Sequence, residues 1–357
     1  MSLSIFNFTY ILFSGILAYF YCIFLTPIVK KIGLKFNLFD TLEKRKNNNR
    51  SLIRVGGLGI IISLSLVTIP TLLFSDLAIN KSLSNILILG SLGYFSLGLM
   101  DDIYNLSSTL RLIIQLSIAT FISLSNFSTI SSFSKTFLIN HLGIVLNEYF
   151  LIILSIFWLV GIINALNWID GLDGLLSINC TVFGSGIFII SLFTGNIDTL
   201  FFSSITCGVC LGFLKFNKYP AKILLGDGGS YLLGYLLSVL SICSIFGSNP
   251  EVSNTNLIRS LLSLLFLLFV PIMDMLRVIF LRLKKLNSPF KGDRKHIHYI
   301  LIDRGINHQK VVNIICSTSI ISLIPLFYLL NLPIKNIFAI VLICLLVIKN
   351  SNFKTFI

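Results

Sequence analysis

The sequence predicts an all-α, polytopic membrane protein of about eleven transmembrane helices, with its amino terminus outside and its carboxyl terminus in the cytoplasm. Three observations carry that expectation. Of the 357 residues, 55% are hydrophobic and only 11% charged, and the mean hydropathy is +0.93. Apolar runs long enough to cross a bilayer recur along the whole chain. Finally, 23 of the 27 Lys and Arg residues fall in alternate loops, leaving Lys81, Lys135, Arg259 and Lys335 on the other side. That asymmetry orients the helices, and it assigns the net charge of +13 to topology and anionic lipid, with no nucleic-acid partner.

In chain order the spans are expected near 3–29, 56–74, 85–100, 110–126, 149–165, 175–194, 198–214, 228–247, 257–281, 311–330 and 332–349. The first has no basic residue before it and Lys30 and Lys31 after it, so it reads as a retained helix and not as a signal peptide. Loops 30–55, 101–109, 166–174, 215–227 and 282–310 then lie on the cytoplasmic side of one membrane domain, 1–357. Seven cysteines, an odd number, sit inside apolar runs, so no disulfide framework is expected.

The polar residues gather on that same side. The stretch NALNWIDGLDG places Asn164, Asn167, Asp170 and Asp173 in eleven positions after an apolar run. Ionisable groups at the end of a membrane helix face a partner, a cavity or a ligand. If helix begins here, Asp170 and Asp173 share one face; the plainer alternative is that they cap the helix that follows. Asp101 and Asp102 end the third span, where like charges repel and oppose the helix dipole unless a cation is near. Asp227, in LLGDGGSYLLG, stands at a glycine-rich helix start suited to phosphate, with a divalent ion such as Mg²⁺ bridging carboxylate and phosphate. The loop KGDRKHIHYILIDRG brings Arg294, His296 and His298, the two histidines on one side of an extended segment. Asp274 and Arg277 are spaced to pair with each other, and the cluster from Lys44 to Arg54 either guides a polyanion or anchors the second span.

Carboxylates, a glycine-rich helix start and basic loop groups at one rim of apolar helices suit reaction between a lipid phosphate and a soluble diphosphate. In these motifs, taken in order from Asp40–Gly57 through GLMDDIYNL, NALNWIDGLDGL, ILLGDGGS and PIMD to DRKHIHYIL, the chain resembles the polyprenyl-phosphate N-acetylhexosamine-1-phosphate transferases. The resemblance implies transfer of a sugar 1-phosphate from a UDP-sugar to undecaprenyl phosphate with Mg²⁺, or Mn²⁺ in its place, releasing UMP at the cytoplasmic face of a bacterial cell membrane; a homodimer is compatible with it. It implies that Asp101 and Asp102 deprotonate or position the lipid phosphate, that Asp227 holds the metal with help from Asn167, and that Asn164, Asp170 and Asp173 belong to the nucleotide-sugar pocket. His296 and His298 match the histidine motif near diphosphate and sugar, with Arg294 beside them, and Arg111 stands where the pattern has Lys. The sequence around HIH is more similar to the UDP-N-acetylglucosamine branch than to the muramoyl-pentapeptide branch, with Tyr299 where a further His is common. A transporter with ion-binding carboxylates is the reading from another class; its sites would sit near the bilayer midplane, not at one rim.

Overall fold

The computed structural model describes residues 4–39, 52–75, 77–125, 148–246, 257–289 and 293–331. Among the described residues the fold is all-helical. Its elements are α1 (Ile5–Lys35), α2 (Gly56–Phe74), α3 (Lys81–Tyr104), α4 (Ser108–Ser125), α5 (Glu148–Ile169), α6 (Leu175–Thr194), α7 (Ile197–Asn217), α8 (Gly226–Phe246), α9 (Leu257–Leu267), α10 (Phe269–Leu283), α11 (Ile297–Asp303) and α12 (His308–Leu329). Eight of them, α1, α2, α3, α5, α6, α7, α8 and α12, are long and apolar enough to span a membrane. This is a multi-pass membrane protein: in lipid every backbone polar group must be satisfied within the segment, which an unbroken helix does.

Three expectations change or go unanswered. The span at 257–281 is broken at Leu268, where α9 and α10 meet at 87°. Counting that pair as one span gives nine among the described residues, with α4 a shorter apolar helix. The span at 332–349 lies outside the described residues, as does Asp40 of the first motif.

α8 is the hub, packed by α2, α3, α5, α6, α7 and α9. Lipid does not drive helices together by hydrophobicity, so small residues that let backbones approach decide where they meet. Two glycines do this at the start of α8. A Cβ on Gly57 of α2 would lie 2.4 Å from the Gly229 nitrogen, and one on Gly98 of α3 would lie 2.3 Å from the Asp227 carbonyl oxygen. Beside them the segment before α2 runs along the segment before α8: Leu224 N–H donates to Ile53 O at 2.8 Å, and Gly56 and Gly57 N–H donate to Leu224 O and Leu225 O at 3.0 and 2.9 Å. The first turn of α8, the last turn of α3 and Arg54 are thereby brought to one place.

α10 is amphipathic with a four-residue repeat. Val270, Asp274, Val278 and Arg282 are buried, whereas Met273, Leu276, Phe280 and Leu283 are exposed. Two charged side chains therefore point inward from one helix face, below the loop that carries the histidines.

Candidate active site

α3 runs on to Tyr104, so Asp101 and Asp102 occupy its last turn. Asn105, in the left-handed conformation at φ 49°, ends the helix, and Leu106 N–H donates to Asp101 Oδ1 at 3.0 Å. Ser107 then caps α4, its Oγ accepting from Leu110 N–H at 3.3 Å. The paired aspartates consequently face different partners. Asp102 accepts Asp227 N–H at 3.0 Å and Gly228 N–H at 3.1 Å, capping α8 from another helix. The expectation that this glycine-rich start offers its N–H groups to phosphate is thus corrected for these two amides: a carboxylate of the chain already occupies them. Asp101 Oδ2 accepts Arg111 Nη1 at 2.7 Å and the Tyr231 hydroxyl at 3.4 Å.

Asp227 is held from two sides. Arg54 reaches it with Nη2 at 3.0 Å while its Nε reaches Asp102 Oδ1 at 3.1 Å. Asn167, on α5, donates to Asp227 Oδ1 and to Ser230 Oγ, both at 2.9 Å. The Asp227 carboxylate is also close enough to Asp101 for its charge to act on it.

These groups border a cavity of about 430 Å³. Its wall includes Asp101, Asp170, Asp173, Asp227 and Asp293 against Arg54, Arg111 and Arg282, an excess of acid that an anionic diphosphate would meet unfavourably without a cation. No cluster of three or more His, Cys, Asp or Glu able to enclose a metal occurs among the described residues. What is present, the Asp101 and Asp227 carboxylates on one wall beside the Asn167 amide, suits a hard cation such as Mg²⁺ that keeps water and phosphate among its ligands. The residues fit that ion.

The turn after α5 is not helical, so Asp170 and Asp173 do not share a helix face as the sequence allowed; α6 begins only at Leu175, after Gly174 at φ 77°. Both aspartates still line the cavity. Asp173 is also structural, its Oδ2 accepting Ala221 N–H at 3.0 Å. Asn217 braces the same turn, its Oδ1 accepting Gly174 N–H at 3.2 Å and Ser177 Oγ–H at 3.0 Å.

The histidine wall hangs on α10. Asp274 Oδ2 meets His296 Nδ1 at 2.7 Å, and Asp274 Oδ1 accepts Ile297 N–H at 2.9 Å and Arg277 Nη2 at 2.8 Å. With Nδ1 engaged, His296 has Nε2 left for chemistry in the cavity it lines. The segment turns helical here, His296 being the residue before α11, so the histidines are not on an extended strand-like stretch. Their rings nevertheless stack, with centroids 5.7 Å apart at 10°. His298 is fully buried, and neither ring nitrogen has a partner. Burial, reinforced by His296, pushes its pKa down to about 3, so it is a neutral packing ring. Gly171 lies against it: a Cβ there would fall 2.1 Å from His298 Nε2.

The structure thus brings Asp101, Asp170, Asp173, Asp227, Asn167, Arg111 and His296 to one cavity wall. Asp102 stands just behind it. Asn164 does not line it: its Nδ2 donates to Gln115 Oε1 at 2.7 Å and to Val160 O at 2.8 Å, a polar pair within the helices. Arg294 is also off the wall, bonded to Asp303 Oδ1 at 2.6 Å and lying 4.8 Å from the Tyr299 ring centroid.

Several wall residues escaped the sequence. Arg54 looked like one of a topological cluster. Arg282 forks onto Asp293 at 3.1 and 3.2 Å; burial works against the Asp293 carboxylate, but the Arg282 bonds and Lys295 hold it below the usual carboxylate range. The repeat of 270, 274, 278 and 282 on α10 was the available signal for Arg282. Trp168 lay inside the densest motif, masked by the charges around it.

The chain is similar in sequence to known proteins. Residues 84–245 match the family described as glycosyl transferase family 4. The chain is 32% identical over 291 residues to a probable undecaprenyl-phosphate N-acetylglucosaminyl 1-phosphate transferase of Bacillus subtilis, covering 82% of this chain and 77% of that protein. It is 31% identical over 326 residues to the undecaprenyl-phosphate alpha-N-acetylglucosaminyl 1-phosphate transferase of Thermotoga maritima, covering 90% and 92%. It is also 32% identical over 249 residues to a phospho-N-acetylmuramoyl-pentapeptide-transferase of Anoxybacillus flavithermus, covering 65% and 74%.

Proposed function

Since the chain belongs to glycosyl transferase family 4 and is a membrane-embedded phosphotransferase, we propose that it transfers N-acetylglucosamine 1-phosphate from UDP-N-acetylglucosamine to undecaprenyl phosphate, at the cytoplasmic face of a bacterial cell membrane. This would be an opening step in making a cell-envelope polysaccharide. The observation that carries the reading is the gathering of Asp101 and Asp227, from two helices, on the wall of an acidic cavity ringed by Arg54, Arg111 and His296. A transporter does not need carboxylates from two helices gathered at one rim. The charge asymmetry of the loops supports the orientation, which requires an odd number of spans, as the proposed eleven is.

In the proposed reaction an oxygen of the lipid phosphate attacks the β-phosphorus of the UDP-sugar. The bond from that phosphorus to the bridging oxygen breaks, and UMP leaves with the electron pair. Such chemistry is mostly positioning and charge neutralisation. Asp227 and Asp101, with Asn167 steadying Asp227, would hold Mg²⁺, whose charge offsets that of the diphosphate oxygens. Arg111, about one-third exposed, is placed to receive the lipid phosphate, and Asp101 positions it through their pair at 2.7 Å. Asp102 has both oxygens committed to the α8 amides and to Arg54, so its part is to fix the first turn of α8. His296, oriented by Asp274, would face the diphosphate with its Nε2. Asp170 and Asp173 belong to the nucleotide end of the cavity.

Purified protein given undecaprenyl phosphate, Mg²⁺ and a panel of UDP-sugars should release UMP fastest with UDP-N-acetylglucosamine. Release only with the UDP-muramoyl-pentapeptide would move the assignment to that donor. No release with any donor would remove the function.

A further inference from the structure

We propose that Trp168 is the sugar-recognition platform of this cavity, its indole packing against the N-acetylhexosamine ring of the UDP-sugar. The inference rests on the transferase reading above and names the part of the donor that the indole meets.

Trp168 follows Asn167, the residue that steadies Asp227, and it is half-buried on the cavity wall. Two neighbours fix its ring. The Arg282 guanidinium carbon lies 4.9 Å from the indole centroid, and the His296 ring meets it edge-on, centroids 5.7 Å apart at 67°. Both neighbours are themselves fixed. Arg282, with its side chain only 3% exposed, donates to both Asp293 oxygens and to Pro289 O. His296 is held by Asp274 at 2.7 Å. A buried arginine whose fork is filled by the chain cannot also grip a phosphate there, whereas it does lock the indole against rotation.

The rest of the wall suggests what a locked indole is for. Carboxylates, guanidinium groups and amides bind phosphate and hydroxyl groups, and the apolar side chains beside them, Leu106, Leu172, Leu224 and Leu225, are branched and offer no flat face. Tyr299, the other aromatic side chain besides His296, is only 8% exposed and has Arg294 over it. A hexosamine offers C–H faces and an acetamido methyl, which need an apolar surface beside the polar groups that orient its hydroxyls. Trp168 supplies that surface next to the groups proposed for the diphosphate, where the sugar begins.

The chain has only two tryptophans, which makes the test direct. Trp158 donates from Nε1 to Ser238 O at 3.1 Å, away from the cavity, so Trp158→Phe leaves Trp168 as the sole indole. UDP-N-acetylglucosamine should change the emission of this variant saturably. UDP should compete and reverse the change without reproducing it, and undecaprenyl phosphate alone should leave emission unaltered. In steady-state assays, Trp168→Leu should raise KM for the UDP-sugar roughly three- to tenfold with kcat within about twofold, and Trp168→Phe should restore most of the loss. The same emission change with UDP or with undecaprenyl phosphate alone, or a lower kcat at unchanged KM, would overturn the assignment. A silent indole in a sample that still releases UMP overturns the platform alone; a sample that releases no UMP from any donor overturns the function with it.

Discussion

The two walls of the cavity are built in different ways. Along α8 the wall is backbone against backbone, with Gly57 on Gly229 and Gly98 on Asp227 leaving no room for a Cβ. Across from it, residues 293–303 are tied to α10 by three side chains, Asp274 through His296 and Ile297, Arg277 through the Lys295 carbonyl, and Arg282 through Asp293. The contrast separates fold from chemistry. Change in the first wall should damage either the charge it presents or the packing that presents it, and the two are separable. Change in the second should alter activity while leaving the helices in place.

The largest effect is expected where the first wall presents charge. Asp227→Asn keeps the shape and an oxygen for Arg54, but removes the negative charge, so UMP release should fall by roughly a thousandfold or more. The melting temperature of the solubilised protein should move by only about 2–4 °C; a large drop would mean that charge and packing are not separable here. Gly98→Val tests the packing itself. Its Cβ alone would sit 2.3 Å from a backbone oxygen that has nowhere to go, and a cost of about 3 kcal/mol is expected, read as early thermal aggregation of the protein. A variant that melts like the parent would show that α3 and α8 can slide apart.

The second wall should behave otherwise. Asp274→Asn leaves His296 without its anionic partner and gives Nδ1 an amide that can present the wrong group to it. UMP release should drop roughly 10- to 100-fold, with little loss of thermal stability. Equal damage to melting and activity would show that this wall carries the fold as well.

His298 sets a smaller, pH-dependent term on the same wall. Its folded pKa lies at about 3, below the ordinary value of 6.5. Below pH 6.5 the unfolded chain takes up a proton that the folded chain refuses, so stability is full above that pH and falls on acidification toward 3. At pH 5 the loss should be about 2 kcal/mol. Thermal melts at pH 7 and pH 5 should therefore diverge less for His298→Phe than for the parent; identical divergence would place the acid sensitivity elsewhere.

Where these walls came from was only partly visible in the sequence. Most of the long spans were legible because lipid imposes apolar length directly, and the acidic residues were legible because charge at a helix end demands a reason. The break at Leu268 passed unread, although Pro271, three positions on, has no N–H to give the Leu267 carbonyl and so marks where a helix is interrupted. Partner choice was hidden too. Asp101 and Asp102 are adjacent and alike, yet one lines the cavity and the other caps a helix 125 positions away along the chain; neighbours on a helix point in different directions, and which one meets α8 depends on how α3 packs against it. Asn164 looked like pocket and pairs instead with Gln115, because one turn of helix back from Asn167 it lies on the same face but deeper among the helices.

The smallest effect should come from Arg294, which proximity to the histidines makes look essential. Its guanidinium pairs with Asp303, a half-exposed carboxylate, at 2.6 Å, and lies over Tyr299 outside the cavity wall. Exposed pairs of this kind contribute about 0.2–1 kcal/mol, so Arg294→Gln should reduce UMP release less than about threefold and leave KM for the UDP-sugar nearly unchanged. Salt sharpens the distinction. Screening at about 0.5 M should erase the difference between variant and parent if the residue only ties α11 to its loop. A loss of tenfold or more that persists in salt would instead mean that Arg294 leaves Asp303 to grip the donor, and that the second wall closes on its substrate.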